Sequence, residues 1–370
     1  MSVVGLAYLG VAAQSVRRFA RQPRAVAPIK PPVTILKPLC GEDVGLYDNL
    51  LSFCRQDYPG FQIVFGIRDA DDAAIAVVRR LIADLPENDL SLVLDPHVSC
   101  SNLKVANLIN MMREARHDVL VIADSDMRVE PHYLAEVTAP LQNAEVGLVT
   151  CLYRGVPVEG IWSRLACLHV NHGFLPQALV GERLNPGEGC FGASMALRRS
   201  TLDAIGGLEV VADDLADDYE LGAAVRRLGL KVVVSPHLVD NITEEKSFSA
   251  LWKHELRWAR TIRGLAPGGY AGSVVTHPVV LALLALVTTG LPRLSVALLA
   301  VAFFIRFAMV RAIDRALKLP RTPAWLLLPR DLLSFGVFIG SYFSRKVAWR
   351  NQTFHVSAKG QLTLDGETRS

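Results

Sequence analysis

The sequence predicts an α/β fold: a mainly parallel sheet sandwiched by helices, followed by helices of lipid-like composition. Three observations predict it. Between Pro31 and about Val239, β-branched runs of strand length alternate with helical periodicities, the pattern of βαβ units. Hydrophobic residues make up 51% of the 370-residue chain and charged residues 20%, too apolar for disorder and somewhat too apolar for an ordinary soluble enzyme. That excess is concentrated at the ends of the chain, and at this length a large core plus one accessory region is expected.

Taken from the N-terminus, "MSVVGLAYLGVAAQ" (residues 1–14) is apolar but shorter than the roughly 20 residues a bilayer needs, and the basic run "RRFARQPR" follows. A signal peptide carries its charges before the apolar run and a cleavage site after it; here the charges come after, with no convincing cleavage site. Residues 1–27 are therefore expected to form a short membrane anchor and basic linker, with the C-terminal side in the cytoplasm. The shortness fits a marginal anchor or a start codon placed too late.

Residues 28–263 are expected to form the cytoplasmic α/β domain. "VTILKPL", "FQIVFGIRD", "SLVLDP", "DVLVIADSD" and "VGLVTCLY" read as strands, with helices such as "DDAAIAVVRRLIADL" and "LKVANLINMMREAR" between them. After Gly264 come two apolar blocks separated by Leu291, Pro292 and Arg293, read as a tight membrane hairpin, and then a basic loop, "RAIDRALKLPR". A third apolar segment, "AWLLLPRDLLSFGVFIGSYFSRK", is interrupted by Pro329, Arg330 and Asp331. Basic flanks on both sides suit a re-entrant or interfacial helix as well as a third span. Residues 264–345 are thus assigned to transmembrane and interfacial helices and 346–370 to a cytoplasmic tail.

The net charge of +3 is too small to argue for nucleic acid, and no stripe of interleaved basic and aromatic residues is present. No nucleic-acid partner is expected. The six cysteines show no C-x-x-C pair, so buried free thiols in a reducing compartment are expected rather than a zinc site or disulfide framework.

In open parallel sheets, ligands bind beyond the carboxyl ends of the strands. Two strands end there in acids: Asp69, Asp71 and Asp72 in "FGIRDADD", and Asp124 and Asp126 in "VIADSDMR". Adjacent carboxylates in a cleft can hold a hard divalent cation, which also neutralises a phosphate leaving group; a solvated turn is the alternative. A third cluster, "VADDLADDYELGAAVRRLG", opens a helical pattern. Asp213 and Asp214 read as complements to the helix dipole, whereas Asp217 and Asp218 suit a general base that takes a proton from an attacking hydroxyl. In "SALWKHELRWARTIRGL", His254, Arg257 and Trp258 share one helix face. Arginine can grip a phosphate and tryptophan can wall a sugar or lipid; an interfacial helix with arginines reaching headgroups is the other reading, and both can hold together.

The ordered set "KPLCGED", "SFCRQDYP", "IRDADD", "ADSDMRV", "LADDYELG", "HELRW" and "AWRNQTFHV" resembles the ceramide glucosyltransferase family and its bacterial relatives that glycosylate hopanoid lipids. The resemblance extends from about Pro31 to the tail. It implies a GT-A, Rossmann-like domain of the inverting glycosyltransferases, a UDP-sugar donor, a divalent cation (Mg2+ or Mn2+), a membrane lipid acceptor and a bilayer setting, the bacterial inner membrane with the catalytic domain facing the cytoplasm. Carried over by motif, Asp69 is expected near the uracil, and Lys104 and Asn107 along the nucleotide site. Asp126 is expected as the direct metal ligand, with Asp124 nearer the ribose and sugar. Asp218 matches the base, Asp217 its acidic neighbour, and Arg257 and Trp258 the closing pair of a Q/R-x-x-R-W motif. His254 departs from that motif; as a neutral imidazole it still donates one hydrogen bond, in a pH-dependent way. The variants "CGED", "CRQDYP" and "HELRW" look closest to the hopanoid branch, which implies UDP-N-acetylglucosamine and bacteriohopanetetrol, with UDP-glucose and ceramide next.

Three rivals remain at this stage. A haloacid-dehalogenase-type phosphatase places D-x-D near the start of its domain, usually with Thr or Val where this chain has Arg128. A lipid-binding or transport protein explains the apolar C-terminal half but not three ordered acidic clusters. A polysaccharide synthase of the cellulose or hyaluronan type shares the acidic order, but needs a pore of several spans.

Overall fold

The structure is a computed structural model describing residues 2–24, 27–288, 292–343, 346–349, 352–356 and 362–364. Leu291 of the expected hairpin turn and most of the expected tail lie outside the described residues. The strands are β1 (Val33–Pro38), β2 (Phe61–Ile67), β3 (Asp89–Leu94), β4 (Val119–Ala123), β5 (Met127–Arg128), β6 (Val146–Pro157), β7 (Ser194–Arg198), β8 (Lys231–Thr243), β9 (Lys346–Trp349), β10 (Gln352–Val356) and β11 (Leu362–Leu364). The helices are α1 (Ser2–Phe19), α2 (Leu46–Cys54), α3 (Ala74–Asp84), α4 (Leu103–Met111), α5 (Tyr133–Thr138), α6 (Gly160–His169), α7 (Leu175–Leu184), α8 (Arg199–Ile205), α9 (Asp217–Arg227), α10 (Phe248–Leu265), α11 (Pro267–Gly272), α12 (Pro278–Thr288), α13 (Pro292–Ala316) and α14 (Leu327–Gly340).

The chain divides into two compact units. One comprises Pro23–Val158 and Asn185–Glu244 and contains β1 to β8 as one sheet in the order β3-β2-β1-β4-β7-β6-β8-β5. The expected mainly parallel sheet is present: β3, β2, β1 and β4 run together, as do β6 and β8, while β7 and the two-residue β5 run against their neighbours. Successive side chains on a strand point to opposite faces, which builds two cores. Ile35, Ile63, Phe65 and Val121 face α2 and α3 through Leu50, Phe53, Val78 and Leu81. Leu36, Val64, Leu120 and Ile122 face α4 and α9 through Val105, Leu108, Met111 and Val225. Each such side chain contributes roughly 1.5–3 kcal/mol on burial, so β1 and β4 are pinned on both faces and their carboxyl ends form a stiff platform.

The other unit comprises Met1–Gln22, Glu159–Leu184 and Glu245–Ser370. Among its described helices, Arg293–Ala316 and Ala324–Phe343 are long and apolar enough to cross a membrane. Pro267–Thr276 and Pro278–Thr288 pass that test only together, as a pair bent by 69°. The Pro329, Arg330, Asp331 interruption does not break α14, because both charges are buried and paired: Arg330 meets Glu255 in a two-pronged contact at 2.6 Å, and Asp331 accepts from Arg306 at 3.1 Å. In α1, Leu9, Ala12, Val16 and Phe19 are buried, a helical stripe that packs on α7 and α13. β9, β10 and β11 form a small antiparallel sheet.

Candidate active site

The fourth strand carries the acidic pair. β4 ends at Ala123, and the chain turns through Asp124, Ser125 and Asp126 before β5. Three contacts hold this turn. Ser125 donates to Asp43 Oδ2 at 2.5 Å, Asn241 on β8 donates to Asp126 Oδ2 at 2.7 Å, and the ammonium of Lys37 donates to the Asp124 carbonyl. The serine is therefore more than a spacer: it ties the turn to the loop after β1. Lys37 is fully buried, with its charge 3.8 Å from the centroid of the Phe53 ring, a favourable cation–π placement. Sequence reading missed it, although a lysine inside the apolar strand "VTILKPL" was the signal.

Asp124 and Asp126 differ in their surroundings. Asp124 Oδ1 lies 2.9 Å from Lys104 Nζ, and the same ammonium lies 3.5 Å from Asp217 Oδ2. Burial disfavours the Lys104 charge, but the carboxylates of Asp124 and Asp217 outweigh it and hold its pKa above the ordinary lysine range. Burial, with the charges of Asp124 and Asp43 added, pushes the Asp126 carboxyl up to about 7. Burial also lowers Lys37 to about 7, against the pull of Asp124, Asp126 and Asp43. The repulsion between the two aspartates is thus relieved on one side by Lys104 and stored on the other as a proton affinity.

Lys104 stands there because of a helix start. Asn102 caps α4 by accepting from the backbone N–H groups of Lys104 and Val105 at 3.0 and 3.2 Å, the usual role of an asparagine N-cap. The same asparagine donates to the carbonyl of Asp214 at 2.8 Å, and Ser101 N–H donates to Asp213 at 3.1 Å. Asp213 and Asp214 therefore stitch the segment before α9 to the start of α4 instead of lying in a first helical turn; Asp217, Asp218 and Glu220 occupy that turn.

Asp218 is half-buried, with one oxygen accepting from Gly192 N–H at 2.7 Å and the other from Tyr219 N–H at 2.8 Å. A Cβ on Gly192 would come within 3.2–3.4 Å of this carboxylate, so the glycine permits the close approach. Burial and the neighbouring Asp217 raise Asp218 to about 6, against Lys104 and the two backbone donors. Each oxygen keeps a second lone pair for an incoming proton.

The remaining expected residues are placed as follows. Asp69 is exposed at the exit of β2, two strands from β4, where its side chain accepts from Asp71 N–H at 3.0 Å. Asp72 turns inward to accept from Ala74 and Gly41 N–H groups, both at 2.8 Å. Asn107 is buried and gives its amide to the Gly66 carbonyl at 2.8 Å, a grip on the end of β2. In the other unit, His254 and Trp258 on α10 meet edge to face at 4.5 Å between ring centroids, and His254 Nδ1 lies 2.7 Å from Glu245. Arg257 is half-buried on the same helix.

Among the described residues, no three His, Cys, Asp or Glu side chains gather as a ready metal cage. Two carboxylates on one turn are the donor set of a hard cation that completes its shell with substrate phosphates and water. The residues present fit a cation held in that shared way.

The family model "Glycosyl transferase family 21" matches residues 1–362. Ceramide glucosyltransferase 1 of Caenorhabditis elegans is 25% identical over 346 residues, covering 90% of this chain and 74% of that protein. Ceramide glucosyltransferase 3 of the same animal is 24% identical over 351 residues, with the same coverage. Among solved structures, a mannosyltransferase from Pyrobaculum calidifontis, in complex with GDP-mannose and Mn2+, superimposes with a TM-score of 0.56 at 18% identity, covering 92% of this chain and 96% of that one. That likeness shows a shared mixed α/β, Rossmann-like fold.

Proposed function

The chain belongs to glycosyl transferase family 21, a ceramide glucosyltransferase-like family, and on that premise we propose that it moves a single sugar from a UDP-sugar to a hydroxyl of a membrane lipid. The donor in this reading is UDP-N-acetylglucosamine or UDP-glucose, and the acceptor a hopanoid polyol such as bacteriohopanetetrol, with ceramide next. One observation carries it: Lys104 bridges Asp124 at the strand end and Asp217 beside Asp218, so the donor-side carboxylates and the base belong to one charged chain.

In this reading Asp218 takes the proton of the acceptor hydroxyl, which attacks the anomeric carbon in line as UDP leaves, inverting the configuration. A pKa of about 6 leaves Asp218 ionised at neutral pH yet basic enough to accept that proton. Asp126, with Asp124, would hold a divalent cation, which supplies charge neutralisation to the diphosphate when bound. Asp69 serves the uracil. Arg257 and His254 serve the leaving diphosphate, and Trp258 walls the acceptor. Asn107 acts one step back by fixing the end of β2. The bilayer setting is supported by two helices among the described residues that are long and apolar enough to cross it, three if the bent pair counts as one span. Two or three spans among the described residues are too few to enclose a polymer pore, which favours single transfer over a processive synthase.

The test is the product. Membranes containing the chain, given either UDP-sugar and either lipid alcohol, are expected to yield one added hexose or N-acetylhexosamine per lipid by mass spectrometry. A ladder of chain lengths would overturn single transfer, and turnover of a phosphomonoester without nucleotide sugar would overturn glycosyl transfer itself.

A further inference from the structure

Two basic segments nearly three hundred residues apart end at the same level of the helical unit. Leu6 packs on the buried cluster of Val279, Ala282 and Ala302, and Tyr8 lies within electrostatic reach of Arg306. α1 packs along α13, and from Leu6 to Tyr8 its neighbours on α13 advance in the same direction, so the two helices run parallel. Carried about two and a half turns further, the same alignment sets Arg17 and Arg18 level with Arg315. Beyond those positions both segments continue basic, with Arg21 after α1 and with Lys318 and Arg321 after α13.

All six of these side chains are exposed, and among the described residues none of them takes part in an ion pair. The acid nearest in sequence, Asp314, is already taken: it is buried and engaged by His172, Arg311 and Thr322. Trp325 is 64% exposed at the start of the next apolar helix, four residues after Arg321. An exposed tryptophan at the end of an apolar helix sits by preference at the headgroup level of a bilayer. Thr322 N–H donates to Asp314 at 3.1 Å, which holds the segment leading to Trp325 against the end of α13 that carries Arg315.

We propose that Arg17, Arg18, Arg21, Arg315, Lys318 and Arg321 form a collar that binds the phosphate headgroups of anionic phospholipids. The collar rests on the membrane reading above but not on the identity of donor or acceptor. Neither basic segment alone makes it; the parallel packing of α1 on α13 does. Lipid-facing phosphates supply the counter-charge that the chain does not, and each basic residue near an anionic surface strengthens association about fivefold.

The test uses the full chain in detergent, offered phosphatidylglycerol and phosphatidylcholine of equal acyl composition, with retained lipid measured by native mass spectrometry. The wild type is expected to retain phosphatidylglycerol at least about tenfold over phosphatidylcholine. Replacing Arg17, Arg18 and Arg21 with Gln, or Arg315, Lys318 and Arg321 with Gln, is expected to lower that preference severalfold in either case. The same positions as all-lysine are expected to keep it, which separates lost charge from lost folding. Equal retention of the two lipids by the wild type, or a preference unmoved by both glutamine sets, overturns the collar. Release of the wild type from membranes by alkaline carbonate alone would overturn the membrane reading, and the collar with it. Sugar transfer to a soluble lipid analogue in the same detergent reports separately on the proposed reaction.

Discussion

Asp126 carries a cost of ionisation that a cation bound there would remove. Its carboxyl is raised to about 7 from an ordinary 3.8, so ionising it in the folded chain is unfavourable. For an acid whose folded pKa is raised, the stabilising contribution is full below the unfolded pKa near 4 and is lost as pH rises through about 7. Asp126→Asn, which cannot ionise, is therefore expected to be the more stable chain at pH 8 by roughly 1–3 kcal/mol. The gain should vanish near pH 4, as read by thermal unfolding in cation-free buffer; a gain that persists at pH 4 would contradict the assignment. Lys37 teaches the complementary lesson. A charge inside a strand otherwise read as buried has to find a partner, and the partner here is the Asp124 carbonyl. The sequence shows the lysine, but only the fold shows that carbonyl.

At the scale of elements, the strands were the legible part. β1, β2 and β4 are buried almost throughout because helices cover both faces, and the acidic exits of β2 and β4 stood out against that background. β7 was missed: five residues, "SMALR", entered by a glycine-rich loop and running antiparallel, give no periodicity of their own. Yet that strand matters, since the loop before it brings Gly192 to Asp218. α14 was read as interrupted by Arg330 and Asp331, because charges in an apolar run look like a break until their partners on α10 and α13 are known. Truncating one partner of a buried ion pair leaves the other uncompensated, at about 3–5 kcal/mol. Glu255→Gln is accordingly expected to lower the unfolding temperature in detergent sharply, whereas Glu255→Leu combined with Arg330→Met recovers most of the loss. An unchanged transition in the single variant would mean that the pair does not form.

At the scale of the whole molecule, the ordered set of seven motifs along the chain was enough to name the family, but not the division of labour among its acidic clusters. That division needs distances: Lys104 between Asp124 and Asp217, and two backbone N–H groups on Asp218. Asn107 illustrates the gap, since a motif match places it along the nucleotide while its amide is spent on the Gly66 carbonyl. The account as a whole turns on Asp218 as the proton acceptor. The most direct measurement is transfer by Asp218→Asn set beside its UDP-sugar affinity. Asparagine keeps the size and accepts through one oxygen only, so turnover is expected to fall by about 10²–10⁴, while UDP-sugar binding by calorimetry stays within severalfold of wild type. Near-normal turnover in that variant would contradict the assignment of Asp218 as the base.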